Sequence, residues 1–387
     1  MSTIRVLSID GGGERGYISA TFLKLFVQQW GIPATDIWKH FDIIAGSSIG
    51  GIQALGYALG LTPTDLQSFF TAEGPWIFTT STTTPSVTPS TLSKINTIVG
   101  GPGSNATFYP NDPGQNIGQT RLKNTLNSVL GANTLNQLKT KVLITSFEKN
   151  DANPDFAQTT NTPIYFSNIP VSVVPFLIGQ NELAVNVGMA TSAAPLYFAP
   201  YAFNSNSYID GGITQNNPAS FALAIAKALK PGASRFCVLS IGTGLGDVGF
   251  SDSAAGMMQR AQQEVLEFTE NPELFAEKWH LTNERLQEVA WVVNNLEILE
   301  GARLIMYLLG AAVTGPQEIV SKELEVESKY TLDNLFYYRM QYYFDPQKNT
   351  ELDNTTPEIL QYYLDSVTQY FNNDIQNITN FIARLDL

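Results

Sequence analysis

Twice in its first sixty residues the chain runs from a short apolar segment through a glycine-rich turn into a helix. Ile4 to Ile9 is a β-branched apolar run that ends at Asp10 and the cluster Gly11-Gly12-Gly13-Glu14-Arg15-Gly16. Tyr17 to Trp30 follows, with Ile18, Phe22, Leu25 and Phe26 near helical spacing. Phe41 to Ala45 is a second apolar run, closed by Gly46-Ser47-Ser48-Ile49-Gly50 and continued by the small-residue helix Gly50 to Leu59. Short continuous apolar runs bounded by turns read as strands covered on both faces. Strand, turn and helix in repetition predict parallel strands joined by right-handed crossovers. The expected fold is α/β: a central, mainly parallel sheet flanked by helices in three layers, with a helical C-terminal part.

The rest of the chain extends this pattern. Val142 to Phe147 and Phe236 to Ile241 are further strand candidates, the latter ending in Gly242-Thr243-Gly244. Asn217-Pro218 opens a helix that runs from Ala219 to Leu229 and stops at Lys230-Pro231-Gly232, ordinary helix punctuation. Ala254 to Leu309 and Pro357 to Leu385 have mostly helical patterning. Thr79 to Ser90 is rich in Thr, Ser and Pro, and Gly100 to Gly114 in Gly, Pro and Asn. Together they predict a loop excursion over about 79–114. The expected organisation is a catalytic α/β domain over 1–320 and a mainly helical segment over 321–387 packed on it.

Composition removes several classes of function. Apolar residues make up 43% and charged residues 15% of the chain, which supplies a sizeable core and excludes a disordered or coiled-coil protein. A net charge of −13 argues against nucleic acid and makes any lipid contact mainly apolar. The single Cys237, inside Phe236-Cys237-Val238-Leu239, reads as a buried inert thiol. With His40 and His280 the only histidines, a zinc site is not expected, while oxygen-ligated calcium stays open. The N-terminus has no signal-peptide pattern, and no apolar run approaches the ~18 residues of a membrane span. The expected location is cytoplasmic and peripheral at membranes, with leaderless export as a second route.

Three motifs carry chemistry. Glycines at a strand-to-helix junction turn backbone N–H groups toward open space, a nest for a phosphate or a reaction oxyanion. On Gly11 to Gly16 alone, a dinucleotide site, an oxyanion hole and a plain turn are equally compatible. Gly46-Ser47-Ser48-Ile49-Gly50 in strand–turn–helix context is a nucleophile elbow. Its sharp turn exposes the hydroxyl of Ser48, and Gly46 and Gly50 remove side chains that would clash. Ser47 fills the variable position. Tyr208-Ile209-Asp210-Gly211-Gly212 presents a carboxylate beside two glycines, against the simpler reading of a turn capped by Asp. A Ser-Asp-His triad lacks its histidine: His280 lies in a charged helix-like stretch, and His40 precedes the nucleophile strand at its far end. A carboxylate that reaches the hydroxyl directly can serve as base, which leaves Asp210.

On these residues the chain resembles the patatin-like phospholipases. The likeness rests on Asp10 to Gly16, Phe41 to Gly51, Thr191-Ser-Ala-Ala-Pro-Leu-Tyr-Phe198, Asp210-Gly-Gly, Asn216-Asn-Pro218 and Leu239 to Gly244, in that order. Tyr338-Arg-Met-Gln341 and the acidic helical segment after it resemble the end of plant-type patatins. The resemblance implies a Ser48–Asp210 dyad, an oxyanion loop of Gly11, Gly12 and Gly13 with Arg15 nearby, and no metal or organic cofactor. It implies a phospholipid or other acyl-lipid substrate and peripheral membrane contact, and leaves a protein activator open. Glu14 departs from the family's usual apolar residue, and 79–114 matches nothing in it.

Two rivals stand beside this reading. A storage or interaction protein that keeps the fold without activity has no need of Ser48, Asp210 and the glycines together. A dinucleotide-binding oxidoreductase expects an acid about 20 residues past the glycines, closing the second strand, whereas Asp42 lies further on and opens it. Two apolar segments are candidates for lipid contact: Gly74-Pro75-Trp76-Ile77-Phe78, balanced between anchor and core, and Arg303 to Leu309, more in keeping with core.

Overall fold

The computed structural model describes residues 2–78, 117–149, 162–195, 197–245, 271–274, 315–331, 334–345, 348 and 352–386. The expected excursion over 79–114, His280 and the segment Arg303 to Leu309 lie outside the described residues.

Strands β1 (Thr3–Ile9), β2 (Ile43–Gly46), β3 (Lys141–Lys149), β4 (Thr162–Ser167), β5 (Tyr201–Phe203), β6 (Asn206–Asp210), β7 (Arg235–Ile241) and β8 (Leu335–Met340) form one sheet. Its order is β5-β6-β3-β2-β1-β7-β8, with β4 paired to β3 off that path. β8, β7, β1, β2 and β3 run parallel; β4 and β6 run antiparallel to β3, and β5 antiparallel to β6. The expected mainly parallel α/β sheet is therefore present, with an antiparallel edge.

Side chains alternate across each strand and so divide the core in two. Leu7, Ile9, Ile44, Ile144, Leu239 and Ile241 join one cluster with Phe22 and Phe26 of α1 (Gly16–Trp30) and Leu55 of α2 (Ile49–Leu59). Val6, Ile43, Ala45, Leu143, Phe236 and Val238 join the other with Ala222, Leu223 and Ala226 of Ala219–Leu229. Helices on both faces account for strands that lack hydrophobic–polar alternation. The C-terminal chain completes the first layer: Pro357–Asn373 and Ile375–Leu385 pack their buried Tyr363, Val367, Ile378 and Phe381 into the same cluster. Its strand β8, for which the sequence pattern offered no expectation, extends the sheet beyond β7.

Register brings the candidate residues together. Gly46, at the end of β2, pairs with Ile144 of β3, while Asp210, at the end of β6, pairs with Ser146. β4 pairs with β3 across both of these positions, so β2 and β6 share the opposite edge of β3 and point their C-terminal ends at each other. Two residues of β3, roughly 7 Å, separate them. Ile9 pairs with Gly46, which sets the glycine cluster after β1 beside the turn after β2.

Candidate active site

The turn after β2 is tight enough to force Ser48 into a left-handed backbone conformation, φ 53° and ψ −127°. A non-glycine residue there costs on the order of 1–3 kcal/mol and persists only where its surroundings hold it. One holding contact is the Ser48 N–H, which donates to Thr191 Oγ1 at 2.8 Å. The turn also needs its glycines: a Cβ on Gly50 would lie 2.3 Å from the carbonyl oxygen of Ile9. The Ser48 hydroxyl donates to Asp210 Oδ2 at 2.5 Å. Asp210 Oδ1 accepts the Gly212 N–H at 2.7 Å, and the Asp210 N–H donates to the Ala193 carbonyl at 3.0 Å, which fixes the carboxylate's orientation. Burial pushes the Asp210 carboxyl up to about 6, against the opposing pull of the Ser48 and Gly212 hydrogen bonds. A base of that strength is ionised near neutrality and still has appreciable proton affinity.

The glycine cluster faces this pair. A Cβ on Gly11 would stand 2.9 Å from Ser48 Cβ, so only glycine permits the approach. Gly11, expected among the oxyanion donors, has its N–H directed to the Asn216 carbonyl at 3.3 Å. Its own carbonyl accepts Thr243 Oγ1 at 2.6 Å and Asn216 Nδ2 at 3.3 Å. The N–H groups of Gly12 and Gly13 meet no acceptor among the described residues. Arg15, half-buried, rests its guanidinium 5.7 Å above the Phe344 ring and brings Nε to 3.5 Å from the Gly12 carbonyl. Burial lowers its pKa, with Tyr363 and Tyr197 pulling the other way. Glu14 does not stand in solvent as a charge. It is buried against Gly74, its Oε1 meets no donor among the described residues, and burial with the nearby Asp353 raises its pKa well above the usual range. A carboxyl held this way favours its neutral form, which is how an acid is accommodated in buried surroundings.

A model described as Patatin-like phospholipase matches residues 7–223, more than half the chain. The chain belongs to the patatin-like phospholipase family. Among curated relatives, a cGAMP-activated phospholipase of Vibrio cholerae is 32% identical over 227 residues, 57% of each chain. Patatin-like protein 1 of Arabidopsis thaliana is 28% identical over 274 residues, 63% of this chain and 59% of that one. Calcium-independent phospholipase A2-gamma of the rabbit, Oryctolagus cuniculus, is 30% identical over 243 residues, 62% of this chain and 28% of that one. This patatin-like chain thus spans little more than half the length of the bacterial and plant relatives it matches, and less of the rabbit protein.

Three residues of the patatin-like site had no role in the sequence reading: Thr191, Asn216 and Thr243, which fasten Ser48 and Gly11. Each lies within a stretch that carried the family resemblance. The available signal was position, polar residues next to the ends of apolar runs, but spacing alone does not say which backbone they reach. His40 sits at the N-terminal end of β2, its ring 5.1 Å from that of Trp30, whereas Ser48 lies past the C-terminal end. Ser47 is buried, its hydroxyl without a partner among the described residues. No cluster of three or more His, Cys, Asp or Glu placed to hold a metal occurs among the described residues. None of their helices is long and apolar enough to cross a membrane. Gly74 to Ile77 close helix α3 (Pro63–Ile77), with Pro75 in its last turn, and Phe78 caps it. Trp76 is 37% exposed beneath the Arg121 guanidinium, whereas Ile77 is buried and Phe78 packs on Phe198 and Tyr197.

Proposed function

We propose that this protein hydrolyses fatty-acyl esters of phospholipids, with Ser48 as nucleophile and Asp210 as its base. The observation that carries the reading is the 2.5 Å hydrogen bond from the Ser48 hydroxyl, on a strained strand-to-helix turn, to a carboxylate raised to about 6. Asp210 takes the hydroxyl proton as Ser48 Oγ attacks the ester carbonyl. Negative charge gathers on the carbonyl oxygen, where the open N–H groups of Gly12 and Gly13 receive it. Such a donor is worth about 3–4 kcal/mol of transition-state stabilisation in comparable enzymes. The N-terminus of α2, which begins at Ile49, adds favourable polarity beside Ser48. Collapse of the intermediate breaks the ester C–O bond, and Asp210 returns the proton to the departing alcohol. Water, deprotonated by Asp210, then cleaves the acyl-serine and releases the fatty acid.

The relatives' names support the substrate class. The bacterial ones are named for activation by cGAMP, so the same control is proposed for this chain. The test is release of fatty acid from position-labelled phospholipid vesicles, with and without cGAMP, beside the Ser48→Ala protein. Release by the unaltered chain and none by Ser48→Ala is expected. Equal release by both would remove the assignment.

A further inference from the structure

We infer that Arg339, acting through Asp10, positions the Gly11–Gly13 loop for the reaction; the inference rests on the Ser48 reading above. Arg339 belongs to β8, where it pairs in register with Ser240 of β7, which in turn pairs with Ser8 of β1. Its side chain therefore reaches across a whole strand to Asp10, the residue between β1 and Gly11. There the guanidinium grips the carboxylate with both arms, Nη1 to Oδ1 at 2.9 Å and Nη2 to Oδ2 at 2.5 Å. Nη1 also donates to Ser240 Oγ at 2.8 Å. Both side chains are almost sealed from solvent, 6% and 0% exposed. Burial works against the charge on Arg339, but the field and hydrogen bonds of Asp10 outweigh it and hold the proton more tightly than on a free guanidinium.

A buried ion pair is a weak source of net stability, because desolvation offsets the attraction, and its best-attested use is to specify geometry. Geometry is what a run of three glycines lacks, since each has access to backbone conformations that side chains forbid. The loop is therefore fixed from outside. At its start, Asp10 is held by Arg339 through the side chain and by the Ile241 carbonyl through its N–H at 3.0 Å. At its far end the Glu14 N–H donates to the Leu352 carbonyl at 2.7 Å. Between these anchors the Gly12 and Gly13 N–H groups keep one direction, which is the condition for stabilising an oxyanion without reorganisation. Arg339 is thus a positioning residue, supplied by a part of the chain beyond the matched residues 7–223.

The test uses Arg339→Lys, which keeps the charge but loses the two-armed grip, and the neutral pair Asp10→Asn with Arg339→Gln. Thermal melting, kcat and KM are measured on a soluble short-chain ester, with inhibition by a trifluoromethyl ketone that adds to Ser48 and forms an oxyanion. Both variants should melt cooperatively. In the neutral pair kcat should fall about 10- to 100-fold with KM within about twofold, because misplacement by an ångström acts on the transition state. The ketone should weaken by the same factor, and Arg339→Lys should retain part of the rate. A folded neutral pair with kcat within about twofold of the unaltered protein, or a loss confined to KM, overturns the inference. If the neutral pair does not fold, Arg339→Lys is judged by the same kcat and inhibitor criteria. The two readings fail differently. An active Ser48→Ala protein removes the nucleophile and this inference with it. An inactive Ser48→Ala beside a fully active neutral pair removes only Arg339.

Discussion

Ser48 is held by its near neighbours in sequence, whereas the glycine loop that faces it is held by residues drawn from as far away as Leu352. The turn around Ser48 depends on Gly46 and Gly50 and on the close seat of α2 against the end of β1. Ile9, which accepts the Ser47 N–H, and Thr191 and Asp210, which bond Ser48 itself, come from further off. Gly11 to Glu14 instead receive contacts from Asn216, Thr243 and Leu352, and through Asp10 from Arg339. A turn under local steric constraint needs few partners, while a run of glycines needs many. Substitutions on the two sides should therefore differ in kind: all-or-none at the dyad, graded around the loop.

The largest effect is expected at the dyad. Asp210→Asn should lower kcat/KM on the order of 10⁴- to 10⁶-fold, as for single members of a catalytic unit. The fold should persist, since the change removes a buried charge. Steady-state rates beside circular dichroism decide this; a rate above a tenth of the original would dissolve the contrast. On the loop side, Thr243→Val removes one of the two side-chain donors to the Gly11 carbonyl and should lower kcat roughly tenfold, the scale of a small misplacement. A loss as deep as that of Asp210→Asn would mean that the loop is as indivisible as the dyad.

How much of this was legible follows the same division. The elbow, the acid and the glycine cluster are local patterns, and strand β1, strand β2 and the helices after them follow from continuous apolar runs. The parallel sheet was legible from their alternation. β8 was not, because Leu335-Phe-Tyr-Tyr-Arg-Met340 carries an arginine and two tyrosines in a run otherwise read with its helical surroundings. Its Arg339 satisfies itself on Asp10, a contact across 329 positions that no spacing rule encodes. That Gly74 to Ile77 belongs to a helix was not legible, because Pro75 in its last turn reads as a stop, whereas the capping box at Thr62 and Asp65 secures the helix from its start.

The pH response sharpens the contrast further. In the proposed mechanism Asp210 is the base and must be ionised, so log kcat/KM should rise with unit slope below about pH 6 and level off above it. Glu14, on the loop side, should affect stability instead. Its folded pKa is raised above the ordinary 4.5. Below that value both folded and unfolded chains carry the proton; above it the unfolded chain ionises first, and stability falls as pH rises toward the folded pKa. Glu14→Gln should flatten that decline in melting temperature as pH rises above the ordinary 4.5, with little change in rate. An unchanged slope would place the acid in solvent. The smallest effect is expected at His40→Gln, with kcat within about twofold of the original, because the residue lies at the wrong end of β2.

The dyad itself is tested most directly by the rate and place of covalent labelling. A fluorophosphonate probe should form a single adduct, mapped by mass spectrometry of the digested protein to Ser48. Its rate should increase with pH through about 6, the value at which Asp210 ionises. In the Asp210→Asn protein, still folded, the same adduct should form at least on the order of 10³-fold more slowly. An adduct on Ser47 or another serine, or undiminished and pH-independent labelling of Ser48 in Asp210→Asn, would contradict the account.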